Sequence, residues 1–286
     1  MKVMFVHGRS QGGKVPADLE ATWMGALREG LEKAGLALPD GVEVDFPFYA
    51  DDLDRFVEAF ALPADPAFTP KGSPVFDEYA EFKVRVVDEM RVRAGISDSA
   101  VQAEAGDLPM EKGPQNWAWV QAVVRLLDRT FTSLPEGTLE VFLRDVFLYT
   151  RKTAVMSTID AIVAARLTSD TRVVVGHSLG SVVAYNVLKA AAGKPPLFVT
   201  VGSPLGIRAI RSTLGVLTNP AGGKGWYNAY DPRDVVALNP LDALNFGVDP
   251  AIANYGGVDN QTSNRHGIVG YLNDPNIARA IRASFD

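Results

Sequence analysis

The sequence predicts an α/β fold, a mostly parallel sheet of about six strands flanked by helices. Three observations carry this expectation. Short apolar runs alternate with stretches of helical spacing, the pattern of βαβ units. The run Val173-Val174-Val175 is apolar without alternation, as in a strand covered on both faces. With 286 residues, 47% of them hydrophobic, the chain can bury a full core, and residues 1–286 are expected to form a single domain.

Taken in order, Val3–Val6 reads as a buried strand ending in a tight turn at Gly8. Asp18–Leu36 is helical, with Leu19, Trp23, Leu27 and Leu31 on one face and Gly35 near its end. Val42–Phe48 is a second strand. The rhythm then breaks. From Asp51 to Gln115 the chain carries a loop punctuated by Pro63, Pro66, Pro70 and Pro74, a charged helix over Glu78–Arg93, and a polar linker through Gly106 to Gly113. Trp117–Phe131 and Leu139–Ala165 are long helical patterns. Arg172–Val175 is a strand, Ser181–Ala192 a helix, Leu197–Val201 and Trp226–Tyr230 strands, and Gly267–Ser284 a closing helix. Residues 51–137 are therefore read as a helical insertion between two core strands, placed either as a cap or against the side of the sheet.

Composition removes several function classes. A net charge of −6 gives no basic footprint for nucleic acid. The absence of cysteine excludes disulfides, thiolate nucleophiles and zinc–thiolate sites. The apolar start Val3–Val6 is shorter than the roughly 7–15 residues of a signal-peptide core, and no transmembrane segment is expected. A cytoplasmic protein without cofactor or metal is the expectation, and its oligomeric state is not addressed by the sequence.

The chemistry centres on Gly176-His177-Ser178-Leu179-Gly180, which stands directly after a strand and before a helix. A serine at such a turn is raised at a helix N-terminus, and glycines two residues to either side let neighbouring backbones approach. Helix N–H groups and the helix dipole there favour a developing oxyanion. Ser178 is the expected nucleophile. The turn Val6-His7-Gly8-Arg9 supplies a second N–H, so that the backbones of Leu179 and Arg9 form a two-donor oxyanion hole. An activated serine requires a base, and the chain has three histidines. His7 belongs to the oxyanion turn and braces it, and His177 adjoins the serine. His266, on a loop before the last helix, takes the role of base. The orienting acid is sought in Tyr230-Asp231-Pro232-Arg233-Asp234-Val235-Val236. Asp234, before an apolar pair, is the choice; Asp231, which suits a turn cap before Pro232, is the second. Asp242, Asp249 and Asp259 are outsiders.

These residues resemble the α/β-hydrolase superfamily, in particular its esterase- and lipase-like serine hydrolases. The resemblance covers residues 1–50 and 138–286 and includes Val201-Gly202-Ser203-Pro204-Leu205-Gly206 after the following strand. It implies a parallel sheet, a Ser-Asp-His triad in the order Ser178, Asp234, His266, and hole donors at Arg9 and Leu179. The chain starts at the third strand of the full eight-stranded family, as in minimal lipases. The insertion matches no cap of the family. A small-molecule or lipid acyl substrate is implied: a carboxylic ester first, with thioester, amide or lipid acyl hydrolysis and a non-catalytic binding protein as alternatives. Phe76, Tyr79, Phe82, Trp117 and Trp119 of the insertion either line an acyl pocket or form plain core, the latter being the default. The Arg9 side chain either meets an anionic group of the substrate or is simply exposed, the latter being the default.

Overall fold

The computed structural model describes residues 1–9, 11–62, 74–106, 117–130, 138–263 and 265–286. Pro63, Pro66, Pro70, Gly113, Phe131 and Asn264 lie outside them, and Trp117 is described in its backbone alone. In chain order the elements are β1 (Lys2–Val6), α1 (Pro16–Lys33), β2 (Glu43–Asp45), α2 (Ala50–Phe60), α3 (Pro74–Arg93), α4 (Asp98–Ala105), α5 (Trp117–Thr130), α6 (Thr138–Arg151) and α7 (Thr153–Ala164). There follow β3 (Thr171–His177), α8 (Leu179–Ala190), β4 (Leu197–Val201), α9 (Arg208–Arg211), β5 (Gly225–Ala229), α10 (Ala243–Phe246), β6 (Ala253–Tyr255), α11 (Ile268–Leu272) and α12 (Pro275–Ala283). Among the described residues the strands form one six-stranded sheet in the order β2-β1-β3-β4-β5-β6, with every neighbour parallel. The class is α/β.

Both faces of the sheet are covered, which is why its central strands need no polar alternation. Val3, Phe5, Val173, Val175, Val199 and Val201 face α1, α11 and α12. Met4, Val6, Val174, Phe198 and Trp226 belong to the opposite core, shared with α8 and with the helices between β2 and β3. Within that second layer, α2 packs on α6 and α7, α3 on α5, α6 and α9, and α4 on α5. Tyr79 and Phe82 sit against Phe147 at ring-centroid distances of 5.1 and 5.6 Å and are buried, as is Trp119. These aromatics are core, and Phe76 packs partly buried against them. A buried ion pair lies among them: Lys83 donates to Glu140, whose second oxygen accepts the Tyr79 hydroxyl at 2.7 Å. The third partner supplies part of what such a pair loses in leaving water. Glu89 of α3 accepts from Arg208 N at 2.9 Å and from Asn239 Nδ2 at 2.8 Å, tying the outer helices to loops beyond β4 and β5.

Several boundaries differ from the sequence reading, each for a local reason. Leu139–Ala165 is two helices, because Lys152 leaves the helical region at φ −112°, ψ 105°. Gly267–Ser284 divides where Asp274 turns to cap α12, accepting from Asn276 N and Ile277 N, with Pro275 at the first helical position. Helices α2 and α4 stand where loop and linker were expected; α4 is capped by Ser97, whose hydroxyl accepts from Ala100 N. Strand β2 shrinks to three residues.

Strand β6 has no apolar run, and polar side chains hold it. Trp226 Nε1 donates to Thr200 Oγ1 (3.0 Å), Thr200 to Asn228 Oδ1 (2.8 Å), and Asn228 Nδ2 to Asn254 Oδ1 (2.9 Å), linking β4, β5 and β6. Thr200 and Asn228 are buried, so each bond answers a group that water cannot reach. Thr200→Val keeps the shape but removes an acceptor and a donor at once. It is expected to destabilise the protein by about 1–3 kcal/mol in urea unfolding, against near-neutrality if this chain carried no weight.

Candidate active site

The carboxyl end of the sheet gathers the chemistry. Strand β3 ends at His177 and α8 starts at Leu179, so the chain reverses at one residue, Ser178, in a left-handed conformation (φ 55°, ψ −130°). The turn is this sharp because the backbones around it touch. A Cβ on Gly180 would lie 2.2 Å from the Val6 carbonyl oxygen and 2.3 Å from that of His7; one on Gly176 would lie 2.6 Å from Ser181 Cα. No other residue type fits either place. The Ser178 N–H donates to Val201 O at 3.2 Å, and its carbonyl accepts from Ser181 Oγ at 2.6 Å. Ser181 in turn contacts Ser203 Oγ at 2.7 Å, so the Gly202-Ser203-Pro204 loop braces the turn from β4. Ser178 is 1% exposed, and its Oγ makes no hydrogen bond among the described residues.

Adjacency of β1 and β3 lays the Gly8 turn over the serine: a Cβ on Gly8 would meet Ser178 Cβ at 2.9 Å. Arg9 follows directly, and Leu179 opens α8, where helix geometry leaves its N–H without an intrahelical acceptor. Next to Arg9 the loop is tied to α2 through Gly13 N donating to Asp51 Oδ1 at 3.0 Å. The Arg9 side chain is half-buried rather than exposed. Burial lowers the pKa of its guanidinium below the ordinary arginine value, against the upward pull of the Asp145 carboxylate on α6.

The three histidines have different surroundings. His7 Nδ1 donates to Gly8 O at 2.6 Å and Nε2 accepts from Tyr49 N at 3.2 Å, with its ring stacked 4.0 Å from that of Tyr49. Burial pushes its pKa down to about 4, so it is neutral. His177 Nε2 donates to the His266 carbonyl at 2.7 Å, and burial beside His266 drives its pKa well below the usual value. His266 alone meets a carboxylate: Nδ1 lies 2.7 Å from Asp234 Oδ2. That bond fixes the proton on Nδ1 and makes Nε2 the basic nitrogen. Its ring is 4.8 Å from that of His177, the residue before Ser178, and Gly202 leaves room for it, since a Cβ there would be 3.1 Å away.

Asp234 is fully buried and also accepts from Val236 N (2.9 Å) and the Tyr271 hydroxyl (2.6 Å). Asp231, equally buried, faces elsewhere. It accepts from Arg233 N (2.8 Å), Asn260 N (2.9 Å) and Arg265 Nη1 (3.5 Å), clamping the loop that carries His266. Asp242 caps α10, Asp249 precedes Pro250, and Asp259 pairs with Arg233 and Arg265. Of the residues singled out from the sequence, the fold bonds His266 to Asp234 at 2.7 Å and sets Ser178 directly after His177, whose ring is 4.8 Å from that of His266. Sequence reasoning does not find Tyr271, whose spacing carries no motif, nor the bracing of the turn by Ser181 and Ser203, although Ser203 lies in the loop that the sequence marks.

No group of three His, Asp or Glu among the described residues is placed to hold a metal ion. Nor is any described helix long and apolar enough to cross a membrane. No protein-family model, curated protein or solved structure matches the chain.

Asp145 has a measurable signature. Burial raises its carboxyl to about 6, against the downward pull of Arg144 and Arg9. Between the ordinary value near 4 and this one the folded state binds more protons than the unfolded state. Wild-type stability therefore falls as pH rises through that window. Asp145→Asn lacks this titration, so its stability relative to wild type should improve by on the order of 3 kcal/mol between pH 4 and pH 7. Urea unfolding at both pH values reads the change; a pH-independent difference would contradict it.

Proposed function

We propose that this chain is a serine hydrolase of the α/β-hydrolase type that cleaves carboxylic esters through an acyl-enzyme on Ser178. The observation that carries the reading is a left-handed serine on a strand-to-helix turn, together with a histidine that is bonded to a buried aspartate at 2.7 Å and whose ring is 4.8 Å from that of His177, the residue before the serine. Ser178 Oγ attacks the acyl carbonyl as its proton passes to His266 Nε2, and Asp234 holds the resulting imidazolium. The negative charge formed on the carbonyl oxygen is received by the N–H groups of Leu179 and Arg9 at the helix N-terminus. Collapse of the tetrahedral species breaks the acyl–oxygen bond, and His266 returns the proton to the leaving alcohol. Water then repeats the sequence on the acyl-enzyme, releasing the acid and restoring Ser178.

The same groups serve thioesters, amides and lipid acyl chains, so the substrate is set by what surrounds them. The tie of α3 to the loops beyond β4 and β5 puts the insertion in contact with this edge of the sheet and supports a share for it in shaping the acyl site.

A fluorophosphonate probe is expected to label wild-type protein on Ser178 and to leave Ser178→Ala unlabelled; unlabelled, folded wild type would refute the enzyme reading. Asp234→Asn should lower kcat by about 10³- to 10⁴-fold. Asp231→Asn should act mainly on stability, and the reverse ranking would exchange their roles. A series of p-nitrophenyl esters of increasing acyl length separates esterase from lipase behaviour. Labelling without turnover of any of them would direct attention to thioesters or amides.

A further inference from the structure

We propose that Tyr271 governs how strongly Asp234 holds the His266 imidazole, and so the pH at which that histidine takes up its proton. The argument begins with the lone pairs of one carboxylate. Asp234 Oδ1 is occupied by Val236 N at 2.9 Å. Both remaining donors converge on Oδ2: His266 Nδ1 at 2.7 Å and the Tyr271 hydroxyl at 2.6 Å. Tyr271 is completely buried on α11, five residues after His266, and its oxygen accepts from Asp231 N at 3.3 Å. Burial and the neighbouring carboxylates hold its phenolic proton far above the ordinary tyrosine range, so it donates at every working pH.

Two donors on one oxygen share its charge. A charged hydrogen bond to the imidazolium is stronger when the acceptor has no second strong donor. Tyr271 thus weakens the grip of Asp234 on a protonated His266. The other groups around the ring do not substitute for it. His177 stays neutral at 4.8 Å, Gly202 brings no polar side chain, and Arg265 is drawn with Arg233 toward Asp231 and Asp259. The role in turnover rests on the hydrolase reading, but the hold on the histidine is measurable without substrate.

The test is an NMR titration of the imidazole signals in the full chain. His7 and His177 remain neutral until well below the ordinary histidine range, so the His266 signal can be followed separately, assigned by its loss in His266→Gln. In Tyr271→Phe the His266 midpoint should move to higher pH by about half a unit to one unit, a roughly three- to tenfold gain in proton affinity. The acid limb of kcat/KM should move with it. Incorporating 3-fluorotyrosine at position 271 keeps the shape and strengthens the donor; it should move the midpoint the other way and serves if Tyr271→Phe fails to fold. A purely structural tyrosine would change stability and leave the midpoint fixed, and that outcome overturns the proposal. Fluorophosphonate labelling of wild type keeps the two readings apart: labelling with a fixed midpoint removes the tyrosine role alone. A shifted midpoint without labelling removes the hydrolase reading alone.

Discussion

Between the end of β1 and the first turn of α8 there is no space for a Cβ, and the site is arranged around that contact. Gly180 lets the helix press its N-terminus onto the Val6 and His7 carbonyls, and the price of so short a reversal is the left-handed backbone at Ser178. A strained residue persists where its surroundings over-determine it. Here the determinants are backbone and hydroxyl bonds: Ser178 N to Val201 O, and Ser181 Oγ between the Ser178 carbonyl and Ser203. The same contact brings the Gly8 turn over the serine, so one approach of helix to strand positions both the hydroxyl and the adjoining N–H groups.

Two aspartates three residues apart divide the remaining work. Asp231 uses its oxygens on the backbone of Arg233 and Asn260 and on arginines, and so builds the loop. Asp234, held from one side by Val236 N, turns its other oxygen to His266 and Tyr271. Both are buried, and each is satisfied by a different set of donors. Their burial alone would not have separated them; the identity of the donors does.

The parts of this arrangement legible in the sequence are those governed by local backbone demands. The glycines around Ser178, the valine run before it and the capping habit of an aspartate before Pro232 all express short-range sterics. With three histidines in the chain, His266 follows by elimination. What was not legible depends on contacts across the fold. β6 is held by the Thr200–Asn228–Asn254 chain rather than by apolar residues, and so has no periodicity to read. Lys152 breaks a continuous apolar pattern without glycine or proline. Tyr271 reaches Asp234 from another element, and nothing in its neighbours marks it.

Glu89 bears on whether the insertion is modular. Its two oxygens complete the backbone N–H of Arg208 and the side chain of Asn239, groups that belong to the sheet's own loops. The outer helices also share one continuous apolar interior with the sheet. These helices are thus tied into the fold at both ends of one carboxylate: removing them would strand donors in the loops beyond β4 and β5 and expose the apolar interior they share with α6. Grafting this segment onto another scaffold would transfer half of an interface.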